Sequence, residues 1–478
     1  MAVINGRGTW GVRALIPTVI TTTSNWTRPT DWLALNAPTD STEQFTGLLA
    51  ITNDDSNYVT IAALSTGNYT VDWGDGTVTT HGSGTIAEKK YEYSAISETT
   101  LSSRGYKQVV VKLTGTNITT LYTNRPHSAI SATATNVLNT WLEYHINLPN
   151  CTSIVSNRGG WPNGAFQTWV EKVTLNKLGN IASFSSIFNS FYSLQEVVIN
   201  ATTTGVTSTD SMFNECYSLN TAPTFNTSNV SNASSMFNLC YTLTTVPSYN
   251  FVSVGNGSSM FNGCYALTTV GTLDFTNATN LSSLFNSCYY LVTAPTLTTT
   301  KVTNTSIMFQ NCVALETVPL FNTSTVTNAA QMFMSCNLLT SVPAFNMSLV
   351  TNFSNMFDGC YNLRSVGLID TQRVTNWTSA FNNCNSLDEL PALNLTVGNT
   401  FTSMFNGAGG ISKAPFVNIR NTFTFANMML SRTAIVDIFN GLASGVTSKT
   451  ITVSGNPGYT SLTSVDRLIA TGKGWTIA

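Results

Sequence analysis

The chain has 478 residues, of which only 9% are charged, and a formal net charge of −2. So sparse and balanced a charge excludes a phosphate-binding surface, which needs clustered Lys and Arg, and no nucleic-acid partner is expected. The 25 Phe and the 42% hydrophobic content exclude a disordered chain and supply a core.

The first segment, "MAVINGRGTWGVRALIPTVITTT", has one apolar patch, Ala14 to Ile20, broken by Pro17. It reads as a retained arm rather than a cleaved leader. No stretch reaches the roughly 18 uncharged apolar residues of a membrane span. Gly6, Gly8 and Gly11 would let the arm follow a foreign surface. Trp10, Trp26 and Trp32 are apolar anchors of the kind that dominate interfaces, so residues 1–35 are expected to hold the chain to a partner.

Strand patterns follow in "FTGLLAITN" (45–53), "YVTIAAL" (58–64), "NYTVDWGDGTVTT" (68–80) and "YKQVVVKLTG" (106–115). Short strands between turn signals predict a small β-sandwich over residues 36–135. Asp72 and Asp75 could ligate calcium, but the favoured reading is an Asx turn closing a hairpin, and no metal site is assigned. "VDWGDGT" followed by "KKYEYS" resembles polycystic-kidney-disease-type (PKD-like) domains. That resemblance implies an immunoglobulin-like fold for roughly residues 45–115. Residues 136–180, with "WLEYHINLPNCTSIV", are expected to cap what comes next.

Then one motif recurs: "SMFNECYSLN", "SMFNLCYTLT", "SMFNGCYALT", "SLFNSCYYLV". Its Phe residues are Phe188, Phe213, Phe237, Phe261, Phe285, Phe309, Phe333, Phe357, Phe381 and Phe405, spaced by 25 residues once and by 24 thereafter. Three residues after Phe stands a cysteine, from Cys216 to Cys384, replaced by Phe191 in the first copy and Ala408 in the last. Six after Phe stands Leu. A fixed period of this size predicts a solenoid whose units bury their apolar faces against one another. Met236, Phe237 and Cys240 fit one face of a helical turn, and "LTTVP" fits a short strand, so each coil is expected to be mixed α/β. A column that tolerates Phe and Ala is a packing column, so the cysteines are expected to be reduced and to act as small hydrophobes. Side chains stacked in parallel make poor disulfide geometry, and no C-x2-4-C pair suggests zinc.

The pattern "MFxxCxxLxxVPxFNTSxVTNxxxMF", clearest from Met308 to Phe333, resembles BspA-like leucine-rich repeats. These occur in bacterial surface antigens, mycoplasmal lipoproteins and many bacteriophage proteins. The resemblance covers about residues 181–417 and implies a surface for binding or scaffolding, with no catalytic residues. Residues 418–478 are expected to cap the array. "TAIVDIFNGL" is predicted to be a helix with Thr433 as N-cap. "KTITVSG" is a predicted strand, and "TSVDRLIATGKGWTIA" a helix stopped at Gly472 before a last strand. A terminal "KGWT" resembles the phage-borne relatives.

Chemistry is hard to find. His81, His127 and His145 stand apart, and there is no nucleophile elbow, HExxH or P-loop. The carboxylates of the repeats fall in different columns, so neither an enzyme nor a cofactor is expected. Four residues after Phe a tyrosine recurs at Tyr192, Tyr217, Tyr241, Tyr265, Tyr289 and Tyr361, broken by Val313, Asn337 and Asn385. Such a ladder could stack sugars, or each ring could simply cover its neighbour. With the resemblances, these features point to a bacteriophage virion structural protein displayed on the particle, most specifically a tail-fibre or tail-associated adhesin. A capsid fibre or decoration protein and a bacterial cell-surface adhesin are the alternatives. The expected partners are other virion proteins through the arm, host surface glycan, and further copies of the chain.

Overall fold

The computed structural model describes residues 26–36, 43–53, 57–125, 127–128, 140–156, 169–367 and 370–478. Eleven strands form its N-terminal part: β1 (Gln44–Ile51), β2 (Tyr58–Leu64), β3 (Tyr69–Asp72), β4 (Val78–His81), β5 (Ala87–Lys90), β6 (Lys107–Thr114), β7 (Thr120–Tyr122), β8 (Trp141–Leu148), β9 (Ser153–Val155), β10 (Lys172–Leu178) and β11 (Glu196–Ile199). They make a seven-stranded sheet in the order β11-β10-β8-β1-β6-β3-β4 and a four-stranded sheet in the order β5-β2-β7-β9.

The "VDWGDGT" stretch is the β3–β4 hairpin, with Gly74 and Gly76 at φ 75 and 86, a conformation open to glycine without penalty. Asp72 accepts the Gly74 N–H at 3.0 Å and Asp75 the Thr77 N–H at 3.1 Å, as Asx turns do. The Lys89 ammonium lies 2.6 Å from the Asp75 carboxylate.

A sandwich closed at residue 135 is not what forms. β8, expected in the cap, pairs antiparallel with β1 and parallel with β10. The sheet thus changes from antiparallel to parallel at β8 and runs straight into the first coils. In the other sheet β9 pairs parallel with β7. One contiguous buried cluster extends from Phe45 to Trp475, so the N-terminal sheets and the solenoid share a core.

The coils repeat every 24 residues, as the bridges Asn232↔Asn256, Asn256↔Asn280 and Asn280↔Asn304 show. Among the described residues the coils contain no helix, so the solenoid is built of sheet and turn rather than mixed α/β. The backbone around Phe237 shows why. Alternate N–H groups leave the coil: Ala233, Ser235, Phe237 and Leu239 donate to Asn256, Ser258, Met260 and Asn262 of the next one, at 2.7–3.0 Å. The residues between close local turns, with Asn238 donating to Ser235 and Cys240 to Phe237. An α-helix would turn all these groups inward. Alternation requires left-handed residues two before and two after each Phe, and every coil has both. Ser235 and Leu239 are at φ 54 and 61, Ile307 and Asn311 at φ 63 and 61, and Asn355 and Gly359 at φ 53 and 76. The spacing that suggested a helix is thus met by a chain of turns.

Inside, the ten Phe rings form one uninterrupted stack, with centroids 5.2–5.7 Å apart. Phe, Cys and Leu columns are fully buried, and so are Phe191 and Ala408 in the cysteine column. The only described α-helices close the far end: α1 (Arg432–Asn440) and α2 (Ser464–Thr471). The N-cap of α1 is Ser431, not Thr433: its hydroxyl accepts the Ala434 N–H, and Arg432 reaches Asp466 in a two-pronged ion pair at 2.7 and 2.9 Å. α2 carries a full capping box, Thr463 with Asp466, and stops at Gly472. The "KGW" ending has a physical role. Lys473 donates to the carbonyls of Phe439, Asn440 and Leu442 at the C-terminus of α1, and Trp475 is buried with its indole N–H on Ala443.

A left-handed backbone costs an L-residue about 1–2 kcal/mol, and a β-branched side chain suffers most. Ile307→Asn should therefore stabilise the array by about 1 kcal/mol in thermal unfolding, while Ile307→Val should not. Equal effects of the two substitutions would refute the assigned backbone.

Candidate functional site

Three outward or semi-outward features could meet a ligand: the strand wall of the solenoid, the tyrosine ladder and the junction with the N-terminal sheets. On the wall, six successive coils, from Thr268 to Glu389, present two exposed positions in a row. Thr221, Thr245, Thr269, Thr293, Thr317, Ser341 and Ser365 recur every 24 residues as a column of hydroxyls, paired in parallel at 221–245–269, 293–317 and 341–365. Beside it Thr268, Val292, Glu316, Thr340, Arg364 and Asp388 vary from coil to coil.

The tyrosines Tyr192, Tyr217, Tyr241, Tyr265 and Tyr289 stack face to face, centroids 4.6–4.8 Å apart and planes within 9°. Their faces are therefore occupied by one another. What they offer solvent is ring edges and hydroxyls, except at the end of the stack, where Tyr289 is 38% exposed and is followed by Val313. Burial raises the Tyr217 hydroxyl to about 12, with the nearby Glu215 charge adding to it. Tyr361 is exposed and stands outside the stack, between rungs occupied by Asn337 and Asn385.

Under the ladder lie two columns with internal roles. Each thiol from Cys216 to Cys384 donates to the carbonyl of the Phe one coil back, at 3.0–3.3 Å. Burial pushes the Cys312 thiol to about 12 and Cys151 to about 11, and raises the others similarly. The nine cysteines are free. One residue after Phe runs an amide ladder that sequence reasoning missed: Asn214, Asn238, Asn262 and Asn286 each donate to the Asn one coil back, at 2.7–2.9 Å. The recurrent Asn was visible in the same alignment that gave the cysteines.

At the junction the arm takes an unexpected place. Trp10 lies outside the described residues. Trp26 and Trp32 pack on the chain's own seven-stranded sheet, against Leu48, Ala50, Tyr106 and Leu142, and Trp32 is only 4% exposed. That sheet face is apolar and has to be covered, which is the physical reason these two rings are not free to anchor a partner. Trp32 donates to the Tyr106 hydroxyl at 2.9 Å and Trp26 to Glu171 at 3.0 Å. Arg28 reaches the buried Glu143 at 2.5 Å. Burial alone would raise the Glu143 carboxyl, but hydrogen bonds from His145 and Arg28, with the Arg28 charge, bring it below its usual range.

A family model described as "Mycoplasma protein of unknown function, DUF285" matches residues 164–270, 279–393 and 303–418, together just over half of the chain. The chain belongs to this family. The DUF285 match covers β10, β11 and the coils. No curated protein matches the chain. Among solved structures, a leucine-rich cell surface protein of Faecalibacterium prausnitzii A2-165 is 17% identical over 52% of this chain and 80% of its own, with a TM-score of 0.28. A leucine-rich repeat protein from Bacteroides ovatus ATCC 8483 is 14% identical over 70% and 79%, with a TM-score of 0.35. No described helix of this DUF285 chain is long and apolar enough to cross a membrane.

Two outcomes are expected. The thiolate is the reactive form, so the native protein should resist alkylation, and all nine cysteines should react after denaturation without reductant. Two or more blocked thiols would reveal disulfides. For the arm, the depressed Glu143 pKa stabilises the fold above about pH 4.5, the usual value, and that stability is lost as the pH falls through the folded value. Arg28→Met should cost about 3 kcal/mol at neutral pH, the low end for breaking a buried pair, because Arg28 is partly exposed. The difference from the parent protein should shrink on acidification below about pH 4.5. A constant difference across that range would assign the effect to packing alone.

Proposed function

We propose that this DUF285 chain is a surface-displayed binding scaffold, and more specifically a bacteriophage virion structural protein of the tail-fibre or tail-associated adhesin type. The observation that carries the reading is the contrast between columns. The inward Phe, Cys and Leu positions hardly vary, while the exposed column beside the hydroxyls runs Thr268, Val292, Glu316, Thr340, Arg364 and Asp388. A frame that is fixed inside and variable outside suits recognition by many weak contacts along a rod. The three histidines lie in different settings, and no group of three or more metal-ligating side chains occurs among the described residues. Host surface glycan and neighbouring copies are the proposed partners of the solenoid.

A bacterial cell-surface adhesin is the second reading, favoured by the mycoplasmal description of the family. On the virion reading, the segment ahead of Trp26 holds the chain to the particle, because Trp26 and Trp32 are engaged within the chain. Deleting residues 2–24 spares the docked rings. The truncated protein should unfold at the temperature of the full chain yet be missing from purified particles. Normal incorporation would move the anchor elsewhere on the chain, and failure of the full chain to enter particles would favour the cellular reading.

A further inference from the structure

Where the N-terminal sheets meet the first coils there is an open hollow of about 430 Å³, lined by Thr52, Arg104, Gly105, Tyr106, Trp169, Glu171 and Ser193. It arises from three separate parts of the fold and reaches the tyrosine ladder only at Ser193, the residue after its first rung, Tyr192. Thr52 follows β1, residues 104–106 lead into β6, and Trp169, Glu171 and Ser193 belong to the start of the solenoid. Its size falls within the roughly 300–1,000 Å³ of small-molecule sites.

Its chemistry is mixed in a particular way. Tyr106 and Trp169 stand edge to face at 6.3 Å and 75°. Trp169 is only partly buried, so part of its indole is open to solvent. Arg104 and Glu171 are joined as an ion pair, and Glu171 also accepts the Trp26 indole N–H. The pair cancels its own charge, which disfavours an ionic ligand. It still leaves hydrogen-bonding capacity, because a guanidinium has five N–H donors and the pair with Glu171 engages two. Thr52 and Ser193 add small hydroxyls at the wall. An aromatic surface for C–H groups, planar charged groups for paired hydroxyls and no net charge together match one ligand class.

We propose that this hollow is a binding site for a neutral pyranose sugar, stacked on Trp169 and hydrogen-bonded by Arg104 and Glu171. It deepens the binding-scaffold reading by giving it a defined glycan site, but does not depend on where the chain is displayed.

The test uses the full chain and saturation-transfer NMR with the methyl glycosides of glucose, galactose, mannose, rhamnose, N-acetylglucosamine and N-acetylgalactosamine, plus glucuronic acid as an anionic probe. At least one neutral glycoside should receive saturation, strongest at its ring C–H protons. Trp169→Ala should weaken its affinity at least tenfold, about 1.4 kcal/mol. Arg104→Met, which keeps most of the side-chain bulk, should do the same without lowering the unfolding temperature much. Tyr217→Ala, in the ladder, should leave the signal unchanged. Silence from every neutral glycoside, a signal from the acid alone, or binding that survives both hollow variants would overturn the site. Loss of signal in Tyr217→Ala would place sugar binding on the ladder instead. Attachment to host cells is a separate measurement, and its failure with the hollow occupied would count against the adhesin reading alone.

Discussion

Everything in the solenoid follows from how its backbone N–H groups are shared. Half of those around each Phe donate to the next coil and half close local turns, so successive coils are locked in register at 24 residues. Identical columns must then sit one above another at about the 4.7–4.9 Å spacing of paired strands. That spacing explains the low charge. Two like charges on adjacent rungs would repel by about 1 kcal/mol in bulk water and severalfold more beside protein. A column of lysines or glutamates would multiply that cost, whereas Ser, Thr and Asn stack without it. Glu316 stands alone between Val292 and Thr340, and several other wall charges are opposed by a neighbouring rung. Lys172 faces Glu196 at 2.8 Å, Glu389 faces Lys413 at 3.8 Å, and Asp388 follows Arg364 one coil on.

The same lock explains what the sequence revealed and what it hid. The period, the buried columns and the thiol environment were legible, because identity at fixed spacing is itself the packing pattern. The helical turn was misread because Met236, Phe237 and Cys240 satisfy a helix face and a chain of turns equally well. The choice lies in hydrogen bonds to residues 23 positions on, which no local pattern contains. Left-handed positions gave little warning, since Leu239, Ile307 and Gln331 occupy them beside the expected Ser, Asn and Gly. At the other end, the pairing of Arg28 with Glu143 spans 115 residues, and the arm therefore read as free. The hairpin Asp residues were legible because an Asx turn is settled within three residues.

The outer columns are not equally continuous, and their breaks coincide in two coils. The amide ladder is interrupted at Gln310, Met334 and Asp358, and the tyrosine column at Val313, Asn337 and Asn385, while the Phe stack passes through the same coils unbroken. Inner columns cannot change without leaving a cavity, but outer columns can. Before the break the wall is nearly all Thr, with a stack of tyrosines beside it. After it come Arg364, Asp388, Glu389 and Lys413, and the amide ladder resumes at Asn382 and Asn406. One rigid frame thus carries two surface zones of different chemistry. Because each coil contacts only its neighbours, either zone can be altered by substitution without disturbing the other.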